Sequence, residues 1–431
     1  YETTAYVDNI GRIYTVGYGP DGELGYGISQ TDLKAYNISD YRIETSTPII
    51  DLKKGGSQNI SSKIEMGISM IDTPFTSNIE FESLDTEVAT ISGSTIFAVG
   101  KGSTYIRIKD ETNKIYGSVK VNVNEEDGIT YPKIVGGDNH FVALKSNGTV
   151  YVWGYNGYGQ LGVGDTTSRL EPTKVEIEDA IDITAGANFT AILKRDGTVW
   201  MAGQNNYGQL GNGTTTNSTV FKKVENMNGV IQISAEGITM HALTKDGKVW
   251  SWGYNGYGQF GQNWTGSGAY TTPYKMGKIS TIMQISSGET FVTALAADGT
   301  VWGVGYNGYG QLGINSTTSI YIPAQMLNEE GKEILRNVKE VSAGRLSTLI
   351  VSTDNKAYAV GYNNCGQLGD NTYDYKRLIV PMLEASSKTQ LTNVKSMIVK
   401  GYTSFAITKD GQLYRTGYAN QGQAFSENTT T

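Results

Sequence analysis

Apolar residues along this chain come in short runs broken by polar punctuation, and the punctuation recurs. Residues 189–211 read "FTAILKRDGTVWMAGQNNYGQLG": an apolar run, an Asp-Gly turn, a second apolar run and a glycine-rich loop. Asp-Gly and Asn-Gly accept positive φ, so a pair of runs around such a turn predicts a β-hairpin. Equivalent turns are "KSNG" (145–148), "TKDG" (244–247), "AADG" (296–299), "STDN" (352–355) and "TKDG" (408–411). In the second run of each unit an aromatic residue follows an apolar one: Tyr14 after Ile13, Tyr151 after Val150, Trp200 after Val199, Trp250 after Val249. Trp302 after Val301, Tyr358 after Ala357 and Tyr414 after Leu413 complete the series. Neighbouring residues of a strand face opposite sides of its sheet, so these strands are covered on both sides.

The loop that closes each unit is nearly the same phrase. "GYNGYGQLG" stands at 154–162 and again at 305–313, with near copies from Gly203, Gly253 and Gly361 and weaker ones from Gly17 and Gly417. Seven copies at a period of about fifty residues predict small antiparallel sheets that bury both faces against their neighbours. The expected fold class is all-β, and the economical arrangement is a seven-bladed β-propeller; an open solenoid is the competing geometry.

The unit "AGANFTAILKRDGTVWMAGQNNYGQLGNGT" resembles the repeat of the regulator of chromosome condensation family. The resemblance implies a seven-bladed propeller. It weakens at the ends, where Glu23 stands for the usual Gln and Ala419 for the usual Asn. The family often places a histidine in the first strand, and here only His140 does so.

Residues 48–124 interrupt the period with short alternating strands between Gly, Asn and Asp turns, which predicts an inserted immunoglobulin-like β-sandwich. Ser83, Asp85, Val88, Ala89 and Ile91, followed by Gly100, Gly102 and Ile106, resemble bacterial immunoglobulin-like group 2 domains. The expected organisation is therefore blade one at 1–47, the insert at 48–124 and blades two to seven at 125–431. Other blades lengthen at the equivalent loop, as in "NEEGKEILRN" (328–337) and "EASSKTQLTN" (384–393). If strands alternate direction, these loops share the face of the Asp-Gly turns, and the "GYNGYG" loops occupy the opposite face.

Most of the phrase reads as framework. Its glycines allow tight turns, Asn156, Asn205, Asn255, Asn307 and Asn363 can close Asx-type turns, and the following Gln residues satisfy buried backbone groups. The tyrosines read differently. Tyr18, Tyr155, Tyr254, Tyr306, Tyr362 and Tyr418 follow the first Gly, a place that the family leaves variable. A second set is Tyr158, Tyr207, Tyr257 and Tyr309, where the family commonly carries Tyr. Tyrosine offers large contact area and a hydroxyl at small entropic cost, so both sets are candidate binding residues, and loop-to-loop packing is the alternative. The bends on the same face vary between blades and add Glu289, Arg345 and Tyr402, with Asn139 and Asn188 at equivalent places.

Composition narrows the function. Charged residues make up 18% of the 431-residue chain and the formal net charge is -7, which argues against a nucleic-acid partner. No apolar run is long enough to cross a membrane as a helix. One cysteine, Cys365, precludes an intrachain disulfide. The chain opens on Tyr1 without Met or signal peptide and reads as a piece of something longer. His140 and His241 lie in different blades and read as structural; no metal, cofactor or nucleophile constellation is present in the sequence. The expectation is a non-enzymatic bacterial binding module, extracellular or on the cell surface, without cofactor, engaging a protein partner through the tyrosine face. Glycan binding by that face is the first alternative. Guanine-nucleotide exchange, implied by the resemblance alone, is the second.

Overall fold

A computed structural model describes residues 3–7, 13–19, 30–37, 42–45, 47–60, 62–65, 79–111, 115–125, 130–264 and 266–418. For the strands within 3–37 and 62–65, and for Arg42, Glu44 and Ser267, the backbone alone is described. The described residues are all-β.

Five four-stranded antiparallel meanders follow one another along the chain. They run from Lys133–Gly136 to Arg169–Lys174, Ala180–Ala185 to Ser218–Lys223, Val230–Glu236 to Gly266–Lys275, Ile282–Ser287 to Ile320–Gln325, and Val338–Ala343 to Lys376–Pro381. A three-stranded sheet, Val394–Lys400, Thr403–Thr408 and Leu413–Gly417, comes after them. Near the start, Thr3–Val7, Ile13–Gly19 and Gln30–Asn37 form another three-stranded meander. Its register shift at Gly17 repeats the shifts at Gly154, Gly203, Gly253, Gly305 and Gly361, so it carries the second, third and fourth strands of the repeat.

Each four-stranded sheet has a strand ahead of the predicted hairpin, such as Ala180–Ala185 before Phe189–Lys194. These leading strands lie side by side from sheet to sheet. Their polar residues tie the blades together. Asp182 accepts from Ile233 N, Gln232 exchanges two hydrogen bonds with Ile285, Gln284 accepts from Val341 N, and Glu340 accepts from Met397 N. Two residues later the same happens through hydroxyls: Thr184 to Ala235 N, Ser234 to Ser287 N, Ser286 to Ala343 N and Ser342 to Val399 N. A hydroxyl or amide at alternate positions of an apolar strand is thus an inter-blade tie, because it satisfies a backbone N–H that the leading edge leaves open. Between the ties the space is filled by the apolar–aromatic strands, for example Val199, Met201, Val230, Ile233 and Trp252 in one buried cluster.

The glycine that opens each loop is required twice over. At Gly203 φ is +116°, and a Cβ there would stand 2.5 Å from the Asn188 carbonyl oxygen; Gly253 and Gly305 repeat the arrangement.

The segment between the first and second meanders is a two-layer unit. One sheet orders Ile49–Lys53, Ile115–Asn124, Gly102–Asp110 and Glu80–Ser83; the other orders Ser57–Asn59, Thr95–Ala98 and Ala89–Ser92. They share a core of Ile50, Ile96, Ile106, Ile108, Val119 and Val121. Arg42–Thr45, which the sequence places in the first blade (1–47), pairs instead with Ser62–Glu65, and Ile43 is buried in the insert's core. An isolated Ile between polar residues gives no sign of which of two adjoining cores will take it.

The insert stands on the Asp-Gly turns. Asp51 pairs with Arg195 at 2.9 Å, Glu87 with Lys409 at 3.5 Å, and Arg107 Nη2 donates to the Val338 carbonyl beside Gly299. Leu84, Tyr105 and Tyr116 join the propeller cluster of Met283, Leu295, Ala297, Val301 and Val338. The insert therefore covers this face, on the side away from the tyrosine loops.

Candidate functional site

The loop phrase builds a rigid platform from buried amides. Asn307 Nδ2 donates to the carbonyls of Ser316 at 2.8 Å and Thr318 at 3.2 Å, while its Oδ1 accepts from Leu312 N at 3.0 Å. Asn156 and Asn205 do the same across their own loops, Asn255 makes two of these bonds, and Asn363 makes two and donates also to the Asp370 carboxylate. These are bridges over five to eleven residues and not the local Asx turns expected from sequence: the side chain points into the loop and replaces a solvent shell. Gln160, Gln209, Gln259, Gln311 and Gln367 each accept from the backbone N–H two residues earlier. All ten side chains are buried, so the loop's polar backbone is satisfied internally and the tyrosines are left on the outside.

Three first-set tyrosines, Tyr155, Tyr254 and Tyr306, fold back over their own loops. A Cβ at Gly157, Gly256 or Gly308 would sit within 2.2 Å of the hydroxyl of Tyr155, Tyr254 or Tyr306, respectively. Space, not φ, explains those glycines. In the third blade Gln204 replaces the tyrosine and Asn206 replaces the glycine.

Between blades the rings interlock. Tyr207 meets Tyr254 at 5.2 Å, Tyr254 meets Tyr257 at 6.2 Å, Tyr257 meets Tyr306 at 5.3 Å and Tyr306 meets Tyr309 at 6.3 Å. Tyr309 then meets Tyr362 at 4.8 Å, and Tyr362 meets Tyr402 at 5.5 Å. The contacts from Tyr207 to Tyr362 are edge-to-face, the geometry that the ring quadrupole favours. The result is one continuous aromatic track across five blades. It stops at Gln204, and Tyr155 with Tyr158 forms a separate pair beyond. The two sets are not divided by burial. Tyr155, Tyr257 and Tyr418 are the exposed members at 44%, 39% and 38%, and Tyr158, Tyr207, Tyr254, Tyr306, Tyr309 and Tyr362 are half-buried. Burial, then the neighbouring Tyr309 and Tyr257, pushes the Tyr306 phenol above its ordinary value. Tyr18 lies in the strand Ile13–Gly19, and its side chain is outside the described residues.

Charge gathers at the centre of this face. Arg345 donates to Glu289 at 2.7 Å and lies over the Tyr402 ring at 5.3 Å, which joins all three bend residues to the track. Two residues that the sequence reading passed over complete the centre. At the place where other blades have Gly186, Gly288 and Gly344, blade four has Glu236 and blade seven has Lys400, and they pair at 2.5 Å across the axis. Burial raises the Glu236 pKa and Lys400 partly opposes it. Two charges of opposite sign replacing glycine in a repeat were the available signal. Further aromatics also escaped notice because they lie after the phrase: Trp264, Tyr270 and Tyr274 pack on Phe260, and Tyr375 approaches Tyr309.

The histidines are structural. His140 Nε2 lies 3.0 Å from Thr190 Oγ1 and His241 Nδ1 lies 2.9 Å from Ser287 Oγ, each in the next blade. Burial lowers both to about 4, so they are neutral at neutral pH; Lys400 adds to the shift of His140. Among the described residues no group of His, Cys, Asp and Glu could hold a metal ion, and no helix is long and apolar enough to cross a membrane.

Comparison with known proteins places this geometry. Models of the regulator of chromosome condensation (RCC1) repeat match 147–193, 196–235, 246–295 and 298–351, and a second set extends to 133–160 and 338–367. The ultraviolet-B receptor UVR8 of Arabidopsis thaliana is 32% identical over 247 residues, covering 56% of this chain and 55% of the receptor. The human E3 ubiquitin-protein ligase HERC2 is 31% identical over 259 residues, covering 59% of this chain and 4% of the ligase. The chain thus spans about half, or far less, of the length of these curated relatives. Yeast RCC1 (Prp20), solved bound to Kap60, superimposes with a TM-score of 0.57 at 21% identity, over 67% of this chain and 70% of that one. Human WBSCR16 gives 0.56 at 17% identity, over 92% and 100%. At these identities the structures speak for the fold. With the repeated sheets, the phrase and the matched residues together, the chain belongs to the regulator of chromosome condensation repeat family and is built as its β-propeller.

Proposed function

We propose that the chain is a non-enzymatic binding module that holds a protein partner on its tyrosine face. The observation that carries this reading is the aromatic track from Tyr207 to Tyr402, which includes the exposed Tyr257, together with exposed Tyr155 and Tyr418 on the same face and the Arg345–Glu289 pair at its centre. Aromatic rings with an embedded arginine make the kind of surface on which binding energy concentrates. Buried amides fix the loops beneath, so little ordering cost falls on association. The opposite face is occupied by the insert, which leaves this one open. Proteins of the same repeat include the Prp20 solved with Kap60, and another Prp20 study bears on Gsp1p and histones. The reading here takes from them only the use of a propeller as a protein-binding platform.

The insert fits an immunoglobulin-like module of the bacterial group 2 type. Ser83 Oγ donates to the Ala89 carbonyl, Asp85 accepts from Glu87 N, and Gly100 and Gly102 allow close approach to Glu87 and Val88. Such a module supports a place outside the cell or on its surface, which export of a tagged full-length chain into the medium or onto the cell wall would test.

The binding test compares the wild-type chain with the variant Tyr155→Ala, Tyr257→Ala, Tyr418→Ala in crosslinked pull-downs from cell-surface and culture fractions. A protein band captured by wild type and lost with the variant supports the reading. A glycan array that lights up for wild type alone, with no protein captured, would replace the protein partner by a carbohydrate.

A further inference from the structure

Between the insert and the propeller lies a cavity of about 390 Å³. Its floor is the entry of the leading strands, with Gln284, Glu340 and Lys395; its roof is the insert's sheet, with Tyr105 and Lys120. The polar groups that face it are unequal. Most of the carboxylate acceptors are already engaged. Asp182 takes Lys133 Nζ at 2.7 Å together with Ile183 N and Ile233 N, and Glu340 Oε1 takes Ser396 Oγ and Met397 N. The donors are not. Among the described residues Lys120 Nζ, Lys395 Nζ and the Tyr105 hydroxyl have no hydrogen-bond or ion-pair partner, and the Gln284 amide spends only its oxygen, on Val341 N.

Burial pushes the Tyr105 phenol up, aided by Asp182 and Glu340, so it stays protonated and donates. Burial also holds the Glu340 carboxyl toward its protonated form. For Lys120, burial disfavours the ammonium and Lys133 adds to that, Asp182 and Asp51 oppose it, and a further anion beside it would favour the charged form. Half-buried donors without a protein acceptor, gathered in one polar cavity, favour an acceptor-rich guest.

We propose that this cavity binds a small oxyanion, the carboxylate or phosphate group of a metabolite, with Lys120 and Lys395 as its charged anchors and Tyr105 and Gln284 as neutral donors. Two of the four come from each domain, so the anion bridges them. Its binding then stabilises the docked arrangement by mass action, since an undocked insert presents only half of the site.

The test titrates the full-length chain by calorimetry with sodium phosphate and, separately, with sodium malonate, against sodium chloride at equal ionic strength. Saturable binding of either anion is expected, with affinity reduced about tenfold or more in both Lys120→Met and Lys395→Met, the loss of one charge-assisted contact. Tighter phosphate points to phosphate esters as the natural guest and tighter malonate to dicarboxylates. Should one variant fail to fold, the other decides alone. Absence of saturable binding up to about 10 mM, a range far weaker than metabolite sites, overturns the proposal. So does binding that both variants retain, or that chloride reproduces.

Discussion

The two faces of the propeller solve opposite problems with the same repeat. On the Asp-Gly side the turns are short and a second domain is set over them. Leu84, Tyr105 and Tyr116 continue the propeller's own apolar cluster, and the Arg107 guanidinium reaches a backbone carbonyl in place of water. On the other side, longer loops, such as the fourteen residues 306–319, close over their own amides and present rings outward. The covered face spends its apolar surface within the chain, whereas the open face is complete in its backbone and unspent in its side chains. The difference teaches where to look for a partner: a surface whose loops are tied internally by buried amides, yet which keeps large aromatic area in reach of solvent, is held ready for something else.

The comparison breaks most visibly if the insert is loosened. Leu84 is 9% exposed and packs with Leu295, Val301 and Val338. Leu84→Asp buries a carboxylate there and removes the apolar contact, a loss of about 4 kcal/mol. The expected calorimetric result is one transition in wild type and two in the variant, because docking no longer couples the domains. An unchanged single transition at the wild-type temperature would mean that the insert is not seated on the propeller. By the same contacts, removal of residues 48–124 would uncover the propeller cluster under Leu84.

The faces were unequally legible in the sequence. The repeat fixed the hairpins, their turns and the sidedness of the loops, because each strand advertises two buried faces and each turn its positive φ. The buried Gln residues were likewise readable, since a phrase repeated in every blade has to satisfy its own backbone in every blade. Docking was not readable. Leu84 and Arg107 look like ordinary members of alternating strands, and nothing local tells which apolar residue of a sandwich turns outward to meet another domain. The Glu236–Lys400 pair was readable only as two opposite charges in place of a repeated glycine: the partners are 164 residues apart, and their closeness depends on ring geometry. Tyrosine exposure failed for a similar reason. Tyr257 is more exposed than Tyr254, because burial is decided by the neighbouring blade and not by the position in the phrase.

Acid distinguishes the sides with a smaller effect. His241 is fully buried and its folded value falls from 6.5 to about 4 through burial. The unfolded chain therefore binds a proton that the folded chain refuses, and stability is lost as pH falls from 6.5 toward 4. The full loss is about 3 kcal/mol for this one residue, and His140 follows the same sign. Glu340, beneath the insert, has the opposite sign: burial raises it, so its folded form takes up a proton more readily and offsets part of the loss. Urea unfolding from pH 7 to pH 4 should show a slope that His241→Gln flattens. A variant with the wild-type slope would show that His241 is protonated in the folded protein.

The smallest effect concerns the rings themselves, and it is the sharpest on the nature of the open face. Tyr257 is 39% exposed, and its ring meets that of Tyr306 at 5.3 Å and 68° across a blade boundary. If such rings are surface that is held in order by mutual contact, each single change to Ala should cost about 0.5 kcal/mol at an exposed site and somewhat more at a half-buried one. Their coupling in a double-mutant cycle should be about 0.5–1 kcal/mol, the value of an aromatic pair beyond its buried area. Equilibrium unfolding of Tyr257→Ala, Tyr306→Ala and the double variant measures all three. A coupling of zero would mean that the track is a row of independent side chains, without the preorganisation that the binding proposal uses. Single costs of 3 kcal/mol or more would be those of core aromatics, and would assign the rings to the fold and not to a partner. The intermediate result, a face that loses little stability when its rings are cut but whose rings sense one another, is the one expected of a platform ordered in advance for a second molecule.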